Sequence, residues 1–221
     1  MAIPVLIIGK SGAGKSASLR NCVDNPDFNV INVIGKQFPF KGHILSITTD
    51  DYKQVMEGIF KSTAKSVIID DAGYLITNMF MKGHSNAGAG NAVFSFYNKV
   101  GDYFWNLIEF IKHKVDDQKI VYIIMHEDTD DFGNIKPKTI GKLLDDKVCV
   151  EGMFTVVLRA VAENGKHLFY TQAVSNDVAK TPIGMFEQLT IDNDLAYVDQ
   201  VIREYYELTG DKDGKKNDSR S

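Results

Sequence analysis

Eight residues near the start of the chain, Gly9-Lys10-Ser11-Gly12-Ala13-Gly14-Lys15-Ser16, satisfy the spacing G-x-x-x-x-G-K-[ST] without a gap. The chemistry this pattern serves is the holding of a polyphosphate. Glycines let the backbone wind its N–H groups around phosphate oxygens, and the positive end of a following helix adds to the attraction. Lys15 would reach the β- and γ-phosphates as a point charge, and Ser16 would bind Mg²⁺. Nucleotide contacts are expected from Gly9 through Ala17. The alternative is a glycine-rich strand–helix turn with a chance Gly-Lys-Ser. The flanks argue against it, because residues 3–8 form a continuous apolar run and residues 16–23 read as a helix.

A second acidic signal closes the apolar run at 66–69, where Asp70 and Asp71 follow one another like the end of a Walker B strand. Asp70 is the expected metal-side carboxylate, acting with Ser16. Asp71 is read either as the group that orients attacking water or as the N-cap of a helix over 72–79. His126 follows the apolar run 120–125, the place where P-loop ATPases of the additional-strand class carry a γ-phosphate sensor. It could equally be a histidine leaving a strand with no special partner. Glu127 and Asp128 are alternative acids or solvated charges. Phosphoryl transfer between two nucleotides needs several arginines, and the chain has four: Arg20, Arg159, Arg203 and Arg220. That disfavours a nucleotide kinase and favours water as the nucleophile.

These residues need a scaffold, and the patterning predicts an α/β one. A buried-strand run at 3–8, β-rich stretches at 28–34 and 43–48 and short apolar strands at 66–69 and 120–125 alternate with helical segments, which implies a mostly parallel sheet with helices on both faces. The clearest amphipathic helix spans 51–64, with Tyr52, Val55, Met56, Ile59 and Phe60 on one face and Asp50 as the expected N-cap. Residues 93–114 form an aromatic-rich helix, read as packed on the sheet through Tyr97, Phe104, Ile108 and Ile111 rather than as a base-stacking surface. Strands at 154–161 and 167–173 meet through Asn164-Gly165, a tight hairpin turn, and a closing helix covers 193–208. One domain over 1–208 and a polar tail over 209–221 are expected.

Composition sets the outer limits. The 221 residues are 44% hydrophobic and 24% charged, and 25 basic against 29 acidic residues give a net charge of −4. That excludes a generally basic nucleic-acid coat. Two cysteines, Cys22 and Cys149, supply no secreted disulfide framework, and the first apolar run is too short for a signal or membrane segment. A cytoplasmic protein with no membrane association is expected.

Taken in order, the phosphate loop, Gln37-Phe38-Pro39-Phe40-Lys41-Gly42, Asp70-Asp71, Met125-His126 and Ala179-Lys180-Thr181-Pro182-Ile183-Gly184-Met185-Phe186 resemble one group over nearly the whole chain. It is similar to phage-encoded RecA-like ATP-binding proteins, including the Sak-type single-strand-annealing ATPases. The resemblance implies an additional-strand P-loop core of RecA type with a C-terminal β-hairpin, binding of ATP and Mg²⁺, and ATP hydrolysis coupled to single-stranded DNA in phage recombination or replication. It also implies a homo-oligomer, host-cell cytoplasm as the setting, and a single-strand-binding or replication protein as a further partner.

Loops at 81–92 and 127–143 would then face DNA, or are ordinary surface connections. The second carries Lys136, Lys138 and Lys142 around Phe132, flanked by Asp128, Asp130, Asp131, Asp145 and Asp146. Lys180 would serve as a trans-acting cation on a neighbour's γ-phosphate, with Arg159 in reserve, or is a solvated loop lysine. Lys10 resembles the extra lysine of the partition and septum-site ATPases, or is an ordinary loop lysine. The chain departs from RecA where an acid should follow the second core strand, since Ile34-Gly35-Lys36-Gln37 offers none, and this moves the water-orienting role to Asp71. It also shows no obvious subunit-linking segment before its first strand, so filament formation is not inherited. A competing reading is a nucleotide-gated assembly or loader ATPase that acts on a protein partner without DNA.

Overall fold

The computed structural model describes residues 1–88, 90–140 and 148–208. Its strands are β1 (Ile3–Gly9), β2 (Phe28–Asn32), β3 (Ser46–Thr48), β4 (Ser66–Asp70), β5 (Ile120–Thr129), β6 (Ile135–Pro137), β7 (Val156–Glu163), β8 (Lys166–Tyr170) and β9 (Thr190–Asp192). The α-helices are α1 (Tyr52–Lys61), α2 (Gly73–Gly83), α3 (Asn91–Lys114) and α4 (Leu195–Tyr205). They build a nine-stranded sheet in the order β3-β2-β4-β5-β1-β7-β8-β9, with β6 paired to β5 alone. Every pairing from β3 to β7 is parallel, and β8 and β9 complete an antiparallel edge. This is the α/β P-loop NTPase architecture, with β5 inserted between the phosphate-loop strand β1 and the acidic strand β4.

Central strands read as unbroken apolar runs because both their faces are buried. Leu6 and Ile8 of β1 pack in one core with Tyr52 of α1, Leu75 of α2 and Phe104 of α3. Val5 and Ile7 point the other way, into a second core with Leu19 and with Leu195 and Val198 of α4. Helices therefore cover both faces, as the alternation predicts. Asn164 and Gly165 hold φ of 50° and 75°, the two left-handed positions that a type I′ hairpin needs.

Several boundaries differ from the sequence reading, each for a local reason. Asp51, not Asp50, caps α1 by accepting from Gln54 N at 2.9 Å, while Asp50 instead binds Asn78 Nδ2 at 2.8 Å and Lys82 at 2.5 Å. Phe60 falls outside the buried stripe of α1 and is exposed. The segment 16–22 is a 3₁₀ helix rather than an α-helix. The supposed loop at 81–92 is largely helical: α2 runs to Gly83, a 3₁₀ turn covers His84–Asn86, and α3 starts at Asn91. β5 continues past Met125 to Thr129 because β6 pairs with its end. On α3, Phe104, Ile108 and Ile111 are buried as expected and Leu107 joins them, while Tyr97 is only half-buried, against Phe80 of α2, and Phe94 and Trp105 are exposed. Asp194 caps α4, accepting from Ala196 N, so that helix begins at Leu195. Ala89, Lys142, Leu143, Asp145, Asp146 and the tail 209–221 with Arg220 lie outside the described residues. Among the described residues no helix is long and apolar enough to cross a membrane.

Candidate nucleotide site

β1 delivers the phosphate loop to the carboxyl edge of the sheet. Gly9, its last residue, is flanked by His126 on β5 and Ala160 on β7. A Cβ at Gly9 would stand 2.5 Å from the Ala160 carbonyl oxygen, so this strand end admits only glycine. Gly12 and Gly14 turn the loop with φ of 78° and 96°, and Ala13 N donates to Lys10 O at 3.2 Å. Ser11, Gly12, Gly14, Lys15, Ser16 and Ala17 line one cleft of about 380 Å³. Ala13 is buried in the core beneath them. The exposed Lys10 faces two neighbouring hollows instead, one beside Arg159 and one beside Tyr74. Because the helix that follows is a seven-residue 3₁₀ segment, anion attraction rests on the loop N–H groups and Lys15 more than on a helix dipole.

Lys15 is almost completely buried. Its Nζ donates to Gly9 O and Lys10 O, both at 2.8 Å, and lies 3.3 Å from Nδ1 of His126. Burial pulls its pKa down to about 8 despite the opposing charge of Asp71. Ser16 Oγ donates to Asp70 Oδ1 at 3.0 Å, which joins the phosphate loop to β4. Asp70 is fully buried and its Oδ2 has no hydrogen-bond partner among the described residues. Burial first, then the neighbouring Asp71 charge, raise its pKa to about 6. A hydroxyl beside an unsatisfied buried carboxylate oxygen is a donor set that Mg²⁺ fits, completed by water and phosphate oxygens. Among the described residues no group of three or more His, Cys, Asp or Glu side chains is placed to hold a metal ion.

Asp71 adopts a left-handed φ of 60°, an unusual conformation that aspartate tolerates and that turns its side chain into the cleft. It does not cap α2: the first turn is closed by its backbone carbonyl, which accepts from Tyr74 N at 2.9 Å, and no side-chain cap is made. Its buried carboxylate instead forms an ion pair with Lys36 Nζ, and its Oδ1 lies 3.7 Å from His126 Nε2. His126 is half-buried, packs edge-on against Tyr74 at 6.2 Å, and has its pKa lowered by burial and then by the Lys15 charge. The sequence-derived set Lys15, Ser16, Asp70, Asp71 and His126 thus converges at one place.

Other candidates go elsewhere. Arg159 donates to both oxygens of Glu127, at 2.7 and 2.9 Å, and to Asp177 at 2.8 Å. Both carboxylates are buried, so Arg159 is a structural cation within its own chain and Glu127 is not a free acid. Asp128 stays exposed. Lys180 pairs its backbone with Val157, beside Leu6 of β1 and three residues short of the Ala160–Gly9 pair, and does not line its own chain's cleft.

Four cleft residues, Lys36, Gln37, Pro39 and His167, are not among the sequence-derived site residues. Gln37 and Pro39 enter the sequence reading only through the resemblance, and Lys36 only as the absence of an acid, although its charge, opposite to that of Asp71, is an available signal. His167 on β8 overhangs the loop, so close that a Cβ at Gly14 would lie 2.8 Å from its ring, and nothing local in the sequence marks it.

No curated protein matches the chain. A family model described as an AAA domain matches residues 1–183 of the 221, over which the phosphate loop, the acidic strand and His126 all fall, and the chain belongs to that family of P-loop ATPases.

Proposed function

We propose that this chain is a Mg²⁺-dependent ATP hydrolase that works with single-stranded DNA, in the manner of the recombination and annealing ATPases of phages. The hydrolytic half of the reading is supported by the Ser16–Asp70 contact, with the free oxygen of Asp70 beside Asp71. Lys15 and the loop N–H groups take the β- and γ-phosphates. Ser16 and Asp70 hold Mg²⁺, which supplies positive charge to the phosphate oxygens when bound. Asp71 orients a water against the terminal phosphorus, and His126, between Lys15 and Asp71, responds to what the lysine binds.

The observation that carries the DNA half is the continuity of β5. The strand that holds His126 in the cleft runs on to Thr129, pairs with β6, and ends in a turn whose Phe132 is 86% exposed. Lys138 N donates to His126 O at 2.8 Å, so both legs of this hairpin are tied to the sensor. An exposed aromatic between Asp130 and the lysines at 136 and 138 is suited to stack on an unpaired base. Assembly as a homo-oligomer, with Lys180 reaching a neighbour's cleft, belongs to the same reading, as does a single-strand-binding or replication protein as partner.

The test is steady-state ATP hydrolysis with and without single-stranded DNA across a salt series, with Lys15→Ala as the blank. Stimulation that weakens with salt and vanishes in Lys15→Ala is expected. Hydrolysis indifferent to DNA, with no salt-sensitive binding, would overturn the DNA half and leave a nucleotide-gated switch for a protein partner.

A further inference from the structure

We propose that Lys36 is a second phosphate-binding cation of the cleft, its ammonium spanning the Asp71 carboxylate and the terminal phosphate of the nucleotide. This rests on the ATPase reading above and adds to it a charge that comes from the same chain.

Three observations carry it. Lys36 lines the same cleft as Lys15, Asp71 and His126. Its ammonium pairs with Asp71, whose side chain is 1% exposed, while its own side chain remains 45% exposed. An ammonium has three donors, so an ion pair with one carboxylate leaves others for a second acceptor on the open side.

The third observation is the turn that delivers it. The buried Asn32, last residue of β2, donates from Nδ2 to Lys36 O at 2.8 Å and accepts from Gly35 N at 2.9 Å. Gly35 holds φ of 67°, and a Cβ there would meet Thr48 Cγ2 at 3.0 Å. The backbone around Lys36 is thus fixed by a buried side chain, which an incidental surface lysine does not require.

Charge balance gives the pairing a purpose. A terminal phosphate placed at Asp71 would meet an anion in a poorly solvated cleft, a costly approach unless a cation lies between them. Lys36 removes that repulsion and leaves Asp71 free to orient water. In the step itself the water oxygen bonds to the γ-phosphorus and the bond from that phosphorus to the bridging β–γ oxygen breaks. The water proton passes to Asp71 and on to the released phosphate, and Lys36 keeps its proton throughout. Arg159, which could otherwise offer a fixed charge, is already consumed by Glu127 and Asp177.

The experiment is equilibrium binding of Mg-ATP and Mg-ADP to the wild-type chain, Lys36→Ala, Lys36→Arg, Asp71→Asn and the double variant Lys36→Ala/Asp71→Asn, with melting curves for each. Lys36→Ala should lose about tenfold or more in ATP affinity with ADP nearly unchanged, and Lys36→Arg should retain most of it. The double variant should still bind ATP about tenfold more weakly than Asp71→Asn alone. Equal loss for ATP and ADP, or a double variant as tight as Asp71→Asn, would overturn the proposal and reduce Lys36 to a neutraliser of Asp71. If Lys36→Ala melts early, Lys36→Gln carries the same comparison. A wild-type chain that binds neither nucleotide sinks the ATPase reading itself, whereas tight wild-type binding indifferent to position 36 sinks only this inference.

Discussion

Lys15 Nζ stands 3.3 Å from Nδ1 of His126, although 111 residues separate them in the chain. The parallel register of β1 and β5 causes this, by placing Gly9 opposite His126 at the carboxyl edge of the sheet. Beside a buried ammonium the imidazole is favoured neutral, with Nδ1 as acceptor. Its remaining proton then sits on Nε2, the nitrogen 3.7 Å from Asp71 Oδ1. One ring therefore lies between the phosphate-loop lysine Lys15 and the Asp71 carboxylate.

The depressed pKa of Lys15 makes nucleotide affinity depend on pH. Burial sets the free protein's ammonium to titrate at about 8, and a bound polyanion favours its protonated form. Binding therefore takes up a proton above that value and none below it. ATP affinity should be flat on the acid side and fall by up to about tenfold per pH unit on the alkaline side. Titration calorimetry between about pH 7 and 9.5 checks this, with Lys15→Arg as a control that keeps its charge throughout. A flat wild-type profile would remove Lys15 from the phosphate contact.

Asp70 carries the opposite kind of shift. Its folded pKa of about 6 lies above the ordinary 3.8, first through burial and then through Asp71. The folded state thus holds a proton that the unfolded state has already lost, so stability falls as pH rises from about 4 to about 6. At neutral pH the charged side chain costs on the order of 3 kcal/mol. Asp70→Asn keeps an oxygen for Ser16 and removes that charge. The nucleotide-free protein should melt higher, while Mg²⁺-dependent hydrolysis is lost. A lower melting temperature would mean that the carboxylate is satisfied in a way its buried Oδ2 does not reveal.

The fold and half of the site were legible because they obey short-range rules. β1 and the first six residues of β5 read as apolar runs, and the phosphate loop is a spacing. Asp70 and Asp71 end a strand, and Asn164-Gly165 makes the turn its conformational freedom dictates. What escaped depends on three-dimensional neighbours. Arg159, in sequence a reserve trans-acting cation behind Lys180, is closed off by Glu127 and Asp177, 32 and 18 residues away. Asp71 reads in sequence as either a water-orienting group or a helix cap, and its left-handed φ and ion pair with Lys36 exclude the cap. Lys36 itself follows β2 in a stretch with no periodicity, and only the register of β2 on β4, which pairs Asn32 with Asp70, brings it to the acid.

Arg159 should matter for stability. Removing it leaves two carboxylates, with side-chain exposures of 2% and 1%, buried without their cation. Arg159→Ala should destabilise the chain by about 3–5 kcal/mol, read by urea unfolding. Mixing this variant with a Lys15→Ala chain should restore no hydrolysis, because the guanidinium acts within its own subunit. Full stability with lost activity, rescued by mixing, would return Arg159 to the role of a trans-acting finger.

For the DNA contact proposed at the hairpin of β5 and β6, two variants separate stacking from charge, which a single affinity would blur. Phe132 is exposed, and its own tie to the turn is its backbone N–H, which donates to Asp130 Oδ1 at 2.9 Å. Alanine keeps that bond, so Phe132→Ala should leave the melting temperature unchanged. Stacking on a base is worth about 1–3 kcal/mol and carries no net charge. The variant should bind single-stranded DNA roughly tenfold more weakly, with the same dependence of log affinity on log salt. Lys138→Ala should do the reverse, with a smaller loss at moderate salt and a slope shallower by about one counterion. Identical salt slopes in both variants with no loss of affinity in either would place DNA, if it binds, away from the strand that carries His126, and the sensor would then have to signal through α2 and Tyr74 instead.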